Sequence, residues 1–482
     1  MMSSVAAAQN ITAPPTTAVA DDMMWERVDD SRHVVNAPEP APVLHSCNVI
    51  LSELTGPANW NTNTGPTGGI VRYSVGTVAC NIGLEPLDWY GSTIDHPFMP
   101  QNLYRLKNGR FEQVGMGWLK HAFIALQQSF CGMTCQNACG GGACSELGVG
   151  CSDPYSPSRN GTPSGLGPRS EINIATGTIL TWPYTRPSSQ STTTNNNGQI
   201  HVPAADVDPA QNGGAQSYIE SPYVVREETE AGNDDNNTSY RRVNISAAQG
   251  FPLSFNGNTV QQQPAINAWR AVDPQVNLQN VDIENDGRMI LGYRVTDNGN
   301  GTGHYEYAVY NMNSDRSGGS FSVPVPGCVT VSNVGFHDVS YHSGEVQDPT
   351  DWAVTRSNTA LSWATAPYAT DVNANALRWA TLYNFRFDAD APPQSVEVTL
   401  GLFKPGSPDA MYMIASGPQG ADAPICPGDV TDDGQVNILD LLEVVAAWGN
   451  PGGPGDVSPA CGDGIVNIAD LLAVVSAWGP CQ

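Results

Sequence analysis

The stretch Cys426–Gly449 reads CPGDVTDDGQVNILDLLEVVAAWG, and its second half recurs near the end of the chain. Residues Val436–Gly449 and Val466–Gly479 match at all but three positions. Such self-similarity marks a duplicated supersecondary unit. In each copy an acidic loop precedes a short apolar segment, so the sequence predicts two loop–helix units.

The first loop carries oxygen-bearing side chains at positions one, three, five, nine and twelve, with Gly434 at position six. This spacing is typical of an EF-hand-type calcium loop, because a hard cation needs six to eight oxygens converging at about 2.3–2.6 Å. Glycine permits the sharp turn, and the backbone carbonyl of residue 435 would supply the ligand at position seven. The predicted ligands are Asp429, Thr431, Asp433, Gln435, Asn437 and Asp440.

The second loop departs from the first, because three additional residues separate its first two acidic positions. The remaining spacing is unchanged, and the carbonyl of residue 465 corresponds to that of residue 435. We therefore predict a second calcium site whose ligands are Asp456, Asp463, Ile465, Asn467 and Asp470.

Each copy continues into a helix with apolar residues at helical spacing. We expect the two helices to bury these faces against each other, since a single short helix is marginally stable in water. The expected faces are Ile438, Leu441, Leu442, Val445 and Trp448 in the first copy and Ile468, Leu471, Leu472, Val475 and Trp478 in the second.

Residues 426–482 resemble a type I-like dockerin module. The resemblance implies a small all-α module with two Ca²⁺ ions that docks onto a cohesin-like partner. Dockerins usually carry a polar recognition pair at loop positions ten and eleven, where this chain has Ile438–Leu439 and Ile468–Ala469. That departure argues against an ordinary cohesin. A calcium-stabilised cap without a partner remains the alternative.

The whole chain has 482 residues and a formal net charge of −26, which disfavours nucleic acid as a partner. Its abundant Gly, Pro, Asn, Thr and Ser favour β-sandwich-like domains with long loops. No apolar run reaches the roughly 18 residues that span a membrane. Together these features predict a mainly β, secreted or cell-surface protein with a small helical tail.

Composition also divides the chain. Residues 1–45 are expected to be a signal remnant or a disordered leader, because small residues end Met1–Ala8 without the preceding charged and apolar regions of a secretory signal. The other predicted segments are a cysteine-containing β-rich domain at 46–186, a linker and polar loop-rich segment at 187–285, a β-sandwich at 286–417, and the tail at 426–482.

The chain has eleven cysteines, and this density indicates an oxidising compartment. Five of them crowd into Cys131–Cys151, a spacing that favours disulfides over the separated pairs of a zinc site. The odd count leaves at least one thiol free or paired between molecules. Sequence does not decide the pairing, including that of the cysteines around the tail.

Alternating runs such as His304–Tyr310 and Ser395–Leu400 predict short strands in an Ig-like or jelly-roll sandwich. Trp118–Leu126 is the best helix candidate in the body. Four strings resemble a family of secreted bacterial proteins with dockerin or anchor tails, which implies an architecture but no catalytic residue. These strings are QNLYRLKNGRFEQVGMGWLKHAF, GVGCSDPYS, HYEYAVYNMNSDRS and LRWATLYNFRFDAD.

The sequence contains no nucleophile elbow, Gly-rich phosphate loop or H-E-x-x-H motif. His337, Asp338, His342 and Glu345 are a weak metal-ligand candidate, for which ordinary sheet-edge roles are favoured. His96 and His121 are expected to be structural, and Tyr305, Tyr307 and Trp379 are expected to fill the core rather than stack on sugars.

Two function classes follow. The first is a non-catalytic binding or structural β protein, held in an extracellular assembly by its calcium-loaded tail. The alternative is a polysaccharide-degrading enzyme, a glycoside hydrolase or lyase, that carries a dockerin. This alternative depends only on the association of dockerins with polysaccharide breakdown. The two classes differ in whether the body has a cleft with two facing carboxylates, about 5–9 Å apart.

Overall fold

The computed structural model describes residues 46–91, 93–121, 124–141, 143–180, 183, 197–341, 345–419, 426, 428–458 and 465–481. The expected leader at 1–45 lies outside these residues. Within them the chain is mainly β, as composition predicts. It forms a large curved sheet, a pair of five-stranded sheets and a two-helix tail.

The first part of the body is built from many short antiparallel strands. In chain order they are β1 (Val49–Asn59), β2 (Ile70–Asn81), β3 (Leu87–Asp88), β4 (Phe98–Met99), β5 (Asn102–Lys107), β6 (Arg110–Met116), β7 (Leu119–His121), β8 (Glu146–Leu147), β9 (Ser152–Tyr155), β10 (Leu166–Gly167), β11 (Ile172–Asn173), β12 (Thr178–Ile179), β13 (Ile200–Pro203), β14 (Gln216–Pro222), β15 (Thr238–Ile245) and β16 (Leu253–Phe255). The short helices of the body are α1 (Pro157–Asn160), α2 (Ala204–Val207), α3 (Arg226–Glu230) and α4 (Asn267–Val272).

The main sheet has the order β1-β2-β13-β6-β5-β14-β15-β16, and β9 pairs with the free part of β2. Its first strand also contacts β15 and β16. The Ser239 hydroxyl donates to the Leu51 carbonyl at 2.5 Å, and the Arg241 guanidinium donates to the Leu54 carbonyl at 2.6 Å. The sheet therefore curls towards closure around a core that includes Val71, Tyr73 and Leu103.

Four strands of this sheet, β13–β16, come from residues 200–255. The prediction of a loop-rich segment at 187–285 is therefore wrong for those residues. Their polar side chains are hydrogen-bonded inside the fold rather than exposed: Ser221, for example, is fully buried in β14 and donates to the Pro100 carbonyl at 2.6 Å. Composition alone does not distinguish such a strand from a loop.

The helix expected at Trp118–Leu126 is also absent from the described residues there. Leu119–His121 form β7, which pairs with β4 and β10, and Ala125 makes an isolated bridge to Cys144. Strand pairing over distance has overridden a weak helical pattern.

The cysteine-rich loop is laced by disulfides, which confirms that prediction. The bonded pairs are Cys80–Cys131, Cys135–Cys151 and Cys139–Cys144. Cys328 is also disulfide-bonded. Among the described cysteines, Cys47 is the free thiol. Burial raises its pKa.

The second part of the body contains the predicted strands and begins at Asn277, before the expected boundary at 286. Its strands are β17 (Asn277–Ile283), β18 (Gly287–Asp297), β19 (Gly303–Asn311), β20 (Gly318–Pro324), β21 (Val331–His337), β22 (Ala353–Arg356), β23 (Ala360–Ala364), β24 (Thr381–Ala389), β25 (Pro393–Leu402) and β26 (Ala410–Pro418).

These strands make two five-stranded sheets, ordered β17-β18-β19-β24-β21 and β22-β23-β20-β25-β26. Aromatic residues from both sheets fill the space between them. Phe321 of one sheet stacks on Phe385 of the other with ring centroids 4.6 Å apart, and Trp363 lies 5.5 Å from Phe385. Tyr305, Tyr307 and Trp379 are buried, which confirms their expected core role.

The curved sheet and the sandwich share a buried contact with an apolar cluster around Trp269 and a polar centre at Glu220. The Glu220 carboxylate is fully buried and accepts hydrogen bonds from the hydroxyls of Tyr104 (2.8 Å) and Tyr310 (3.0 Å), from the Asn102 amide (3.0 Å) and from the Ala265 backbone (2.6 Å). Four donors satisfy this carboxylate, and the buried Arg169 guanidinium, which donates to the Asn102 side chain at 2.8 Å, interacts with it electrostatically.

None of the helices in the described part of the chain has the length and hydrophobicity that crossing a bilayer requires.

Candidate metal centre in the tail and the cavity of the body

The tail consists of two loop–helix units joined by a two-stranded pairing. Its elements are β27 (Gln435–Val436), α5 (Ile438–Ala446), α6 (Ile468–Ser476) and β28 (Gly479–Pro480). β27 pairs with β28, and the disulfide Cys426–Cys481 joins the two ends of the unit. The repeat predicted from the sequence therefore corresponds to a repeated structural element.

Side chains of the first predicted site converge through hydrogen bonds within its loop. Asp429 accepts from the backbone amides of Asp433 (3.1 Å) and Gly434 (2.8 Å). The Asn437 side chain lies 3.4 Å from the Asp433 carboxylate and 3.3 Å from the Gln435 carbonyl. Four of the six predicted ligands are thus brought around one loop.

Asp440 closes that loop from the first turn of α5. It is fully buried, and it accepts from the Thr431 amide and hydroxyl, both at 2.9 Å, and from the Asn437 amide at 2.7 Å. Although burial raises it, these hydrogen bonds lower the pKa of Asp440 below its usual value. Asp440 is therefore a carboxylate at neutral pH, held at position twelve as a calcium loop requires.

The second loop repeats this arrangement. Asp470 is fully buried and accepts from the amides of Val457 and Ser458, and from that of Asn467, each at 2.7 Å. The Asn467 side chain donates to the Ile465 carbonyl at 3.0 Å. Asp456 precedes Val457 directly, whereas predicted ligand Asp463 lies outside the described residues. Asp456, Ile465, Asn467 and Asp470 occupy one loop.

The two loops also begin with a similar four-residue sequence, which the alignment of Val436 with Val466 does not bring into register. Gly428-Asp-Val-Thr431 and Gly455-Asp-Val-Ser458 occur at a spacing different from that of the helices, because the second loop is longer. A Cβ at Gly428 would lie 3.2 Å from the Val474 Cα of α6, and one at Gly455 would lie 3.3 Å from the Val444 Cα of α5. Each loop thus packs on the helix of the other repeat.

The net negative charge of the tail also fits calcium. Residues 426–482 contain no Lys, Arg or His to balance their carboxylates. Their eight acidic residues are Asp429, Asp432, Asp433, Asp440, Glu443, Asp456, Asp463 and Asp470. Bound Ca²⁺ would supply the missing positive charge, and oxygen ligands of this kind are those it prefers.

Two cysteines also lie near Asp429, with the Cys481 sulfur 3.4 Å from its carboxylate. Because Cys426 and Cys481 are joined in a disulfide, neither is a thiolate that could ligate a metal.

The expected burial of the helix faces is wrong in part. The core of the tail is Val436, Val444, Val466 and Val474, with Leu441 and Leu471 packed beside it. The face that carries Val444 in α5 and Val474 in α6 therefore packs into this shared core. The rest of each predicted stripe faces outward and is about half exposed: Ile438, Leu442, Val445, Trp448, Ile468, Leu472, Val475 and Trp478. We call this surface the tail stripe.

The body has a cavity of about 340 Å³ lined by both of its parts. Its acidic groups already have partners. Glu345 accepts from the Arg169 and Ser170 amides at 2.6 and 3.1 Å, and Asp315 pairs with Lys404 at 2.7 Å. A pair of facing catalytic carboxylates is not favoured by this arrangement.

The residues of the weak metal-ligand candidate contact different protein groups. The His337 ring lies 3.1 Å from the Gln113 carbonyl, Asp338 accepts from Asn375, and Glu345 binds backbone amides as above. His342 lies outside the described residues. The rings of His96 and His121 contact each other through nitrogens 2.6 Å apart, which neither histidine's position in the sequence indicates.

No family model matches the chain, and no curated protein matches it. Two solved structures show a weak likeness. One is described as "Enterococcal surface protein, partial N-terminal region", with 7% identity, a TM-score of 0.15, and an alignment covering 80% of this chain and 98% of that one. The other is the B domain of a biofilm-associated protein, with 6% identity, a TM-score of 0.12, and coverage of 76% and 85%. Scores this low carry no argument about fold or function.

Proposed function

We propose that this is an exported β protein whose calcium-loaded tail docks it onto a partner in an extracellular or cell-surface assembly. The observation that carries the proposal is the tail stripe. It lies along the two helices that begin directly after the two acidic loops. Disulfides in the body and the tail support an oxidising, extracellular location.

The tail stripe supports docking rather than a simple cap. Eight large apolar side chains that include two tryptophans remain about half exposed on two short helices. Contiguous exposed apolar surface of this kind marks interaction sites, and tryptophan is enriched among the residues that dominate binding energy. The partner proposed here is a cohesin-like module whose contact face is apolar, because loop positions ten and eleven lack polar side chains.

Calcium would act on this surface indirectly. The first turn of α5 and that of α6 each contribute a buried carboxylate, Asp440 or Asp470, to the neighbouring loop. A cation held there fixes the start of each helix and so the spacing of the two halves of the stripe.

The body is proposed to bind or to support rather than to catalyse. Its cavity carboxylates are bonded to protein groups, so no observation on the described residues favours the polysaccharide-degrading alternative. A panel of polysaccharides assayed for released reducing sugar tests this part, and release at a rate above that of a heat-inactivated sample would overturn it.

The docking proposal is tested with the full chain, a chain ending at Gln419, and the full-chain variant Leu442→Ser/Leu472→Ser. Each is titrated by calorimetry with purified cohesin modules, with calcium and with chelator. We expect binding that needs calcium, is lost on truncation and weakens at least tenfold in the serine variant. Binding by the truncated chain, or the absence of binding to every module, would contradict the docking proposal.

A further inference from the structure

A second oxygen-rich site lies in the body, where α3 and the loop after it meet the start of β1. Residues 233–238, Asn-Asp-Asp-Asn-Asn-Thr, all have oxygen-bearing side chains. The feature that singles out this loop is Glu228, which is fully buried. Its Oε1 accepts from the Val49 amide at 2.9 Å, but its Oε2 has no hydrogen-bond partner.

The loop is fastened to the same end of β1. Asn233 donates to the Cys47 carbonyl at 3.2 Å, and the Asn236 amide nitrogen donates to the Asn48 side chain at 3.3 Å. This leaves Asn236 Oδ1 buried and without a partner. Two orphaned acceptor oxygens, from Glu228 and Asn236, therefore belong to side chains anchored on consecutive residues, Val49 at the start of β1 and Asn48 just before it.

Charge makes the arrangement more unusual. Burial raises the pKa of Glu228 and the negative charge of Asp234 raises it further, whereas hydrogen bonds from Val49 and Asn237 lower it. Arg288 pairs with Asp235 of this loop at 3.0 Å, and its positive charge also lowers the pKa of Asp234. No Lys or Arg contacts Glu228 among the described residues.

Glu220 shows what a satisfied buried carboxylate looks like in this protein. Its four donors reach both of its oxygens, whereas Glu228 has the Val49 amide and the Asn237 side chain as donors and an Oε2 without a hydrogen-bond partner. An unpaired buried charge or acceptor costs free energy, so a second compensating group is expected at Glu228. The orphaned oxygens have no water-accessible surface. A bare Ca²⁺ ion would lie about 2.3–2.6 Å from each of its oxygen ligands.

We propose that Glu228, Asp234 and Asn236 bind one Ca²⁺ in the body, independently of the tail. Ligands that are all oxygen select a hard cation, and two carboxylates balance a divalent charge. Asn237, which lies beside Glu228, and backbone carbonyls of the loop would complete the coordination shell. Because Asp235 bonds to Arg288 and to Asn313 (3.3 Å), an ion here would also stiffen the contact between the curved sheet and the sandwich.

The test counts calcium per folded chain, by equilibrium dialysis and elemental analysis of full-length protein at saturating free Ca²⁺. The variant Glu228→Gln preserves shape and removes one charge. Its control is Glu230→Gln on the same helix, where the carboxylate is 62% exposed. We expect Glu228→Gln to bind one ion fewer than both the control and the unaltered chain, and an unchanged count would overturn the inference.

A second pair of variants keeps this result separate from the tail. The full-chain variant Asp440→Asn/Asp470→Asn should still bind one ion and show a rise in melting temperature when Ca²⁺ is added. Adding Glu228→Gln to it should abolish both effects. If Glu228→Gln does not fold, Asn236→Ala in the same background replaces it. A tail variant that binds no ion overturns the body site but leaves the docking proposal standing.

Discussion

The body and the tail treat their large apolar side chains in opposite ways. The sandwich buries the aromatic residues between its two sheets, and Trp363 is not exposed at all. The tail leaves Trp448 and Trp478 49% and 52% exposed, although each lies just after a regular helix that packs on a small valine core. A side chain that contributes to folding is buried in the folded chain, whereas an exposed one contributes only when something else covers it. The difference separates residues for folding from residues for docking.

The largest expected effect contrasts the two kinds of tryptophan. Trp363→Ala should lower the free energy of unfolding by about 3–5 kcal/mol, because it removes a buried aromatic side chain and leaves a cavity. Trp448→Ala should change it by less than about 0.5 kcal/mol, as exposed substitutions usually do. Guanidinium unfolding of both variants measures this. A large loss in Trp448→Ala would show that the tail stripe is covered within the intact chain.

Disulfides offer a second contrast. Cys426–Cys481 closes a loop with a sequence separation of 55, whereas the separation of Cys139–Cys144 in the body is 5. The chain-entropy argument gives a loss of about 4 kcal/mol on removing the first and about 2 kcal/mol on removing the second. Hydrogen exchange measures the local loss of stability in each variant. It is followed in α5 and α6 for Cys426→Ser/Cys481→Ser and in the cysteine-rich loop for Cys139→Ser/Cys144→Ser. Equal protection losses would refute the argument.

Acid should affect the body before the tail. Burial lowers the pKa of His96 from 6.5 to about 4; Lys120 adds to this effect, and the hydrogen bond that His96 donates to the Thr93 carbonyl and the charge of Asp95 oppose it. The unfolded chain then binds the proton more readily, so stability is present at pH 7 and is lost as pH falls from 6.5 to 4. This pKa shift corresponds to about 2–4 kcal/mol in the free energy of unfolding.

The tail, residues 426–482, has no histidine, and the lowered pKa of Asp440 keeps that carboxylate charged until lower pH. His96→Asn should flatten the pH dependence of the body between pH 6.5 and 4 and leave that of the tail unchanged. Thermal unfolding across this range, compared with the unaltered chain, measures the difference. An identical pH profile in the variant would exclude His96 as the cause.

Local patterns were sufficient to predict much of the fold. The loop–helix repeat, the disulfide-laced loop and the strands around Tyr307 and Val398 each depend on residues close together in sequence. The curved sheet was not predictable, because β13 and β14 join it through pairings with β2 and β5, strands more than a hundred residues earlier. Its polar strands are stabilised by contacts that composition does not show.

The candidate sites also differ in whether they depend on residues close together or far apart in sequence. The predicted tail ligands follow from spacing within one loop, and the Asn437 side chain lies 3.3 Å from the Gln435 carbonyl in that loop. The direction of the apolar helix faces was wrong, because a helical pattern shows that a stripe exists but not which part of it a neighbour covers. The body site is built from Glu228 and a loop strapped to β1, a contact across 179 residues that only the fold brings about.

The smallest expected effects test whether each tail loop packs on the other repeat's helix. Gly428 has a positive φ of 92° and a close approach to α6, Gly434 has only a positive φ of 84° with open space around it, and Gly455 has only the close approach to α5. Left-handed backbone costs a residue with a Cβ about 1–2 kcal/mol, and crowding at this distance costs about 1 kcal/mol more.

The loss of stability in the three alanine variants should therefore depend on whether the variant adds backbone strain, crowding or both. Gly434→Ala and Gly455→Ala should each destabilise the tail by about 1 kcal/mol, and Gly428→Ala by about the sum of the two, since strain and crowding act on it together. Calcium-loaded thermal unfolding of the three full-length variants, followed by tail hydrogen exchange, measures this. If Gly428→Ala cost no more than Gly434→Ala, the contact of the first loop with α6 would contribute nothing, and the tail would be two independent units rather than an interlocked pair.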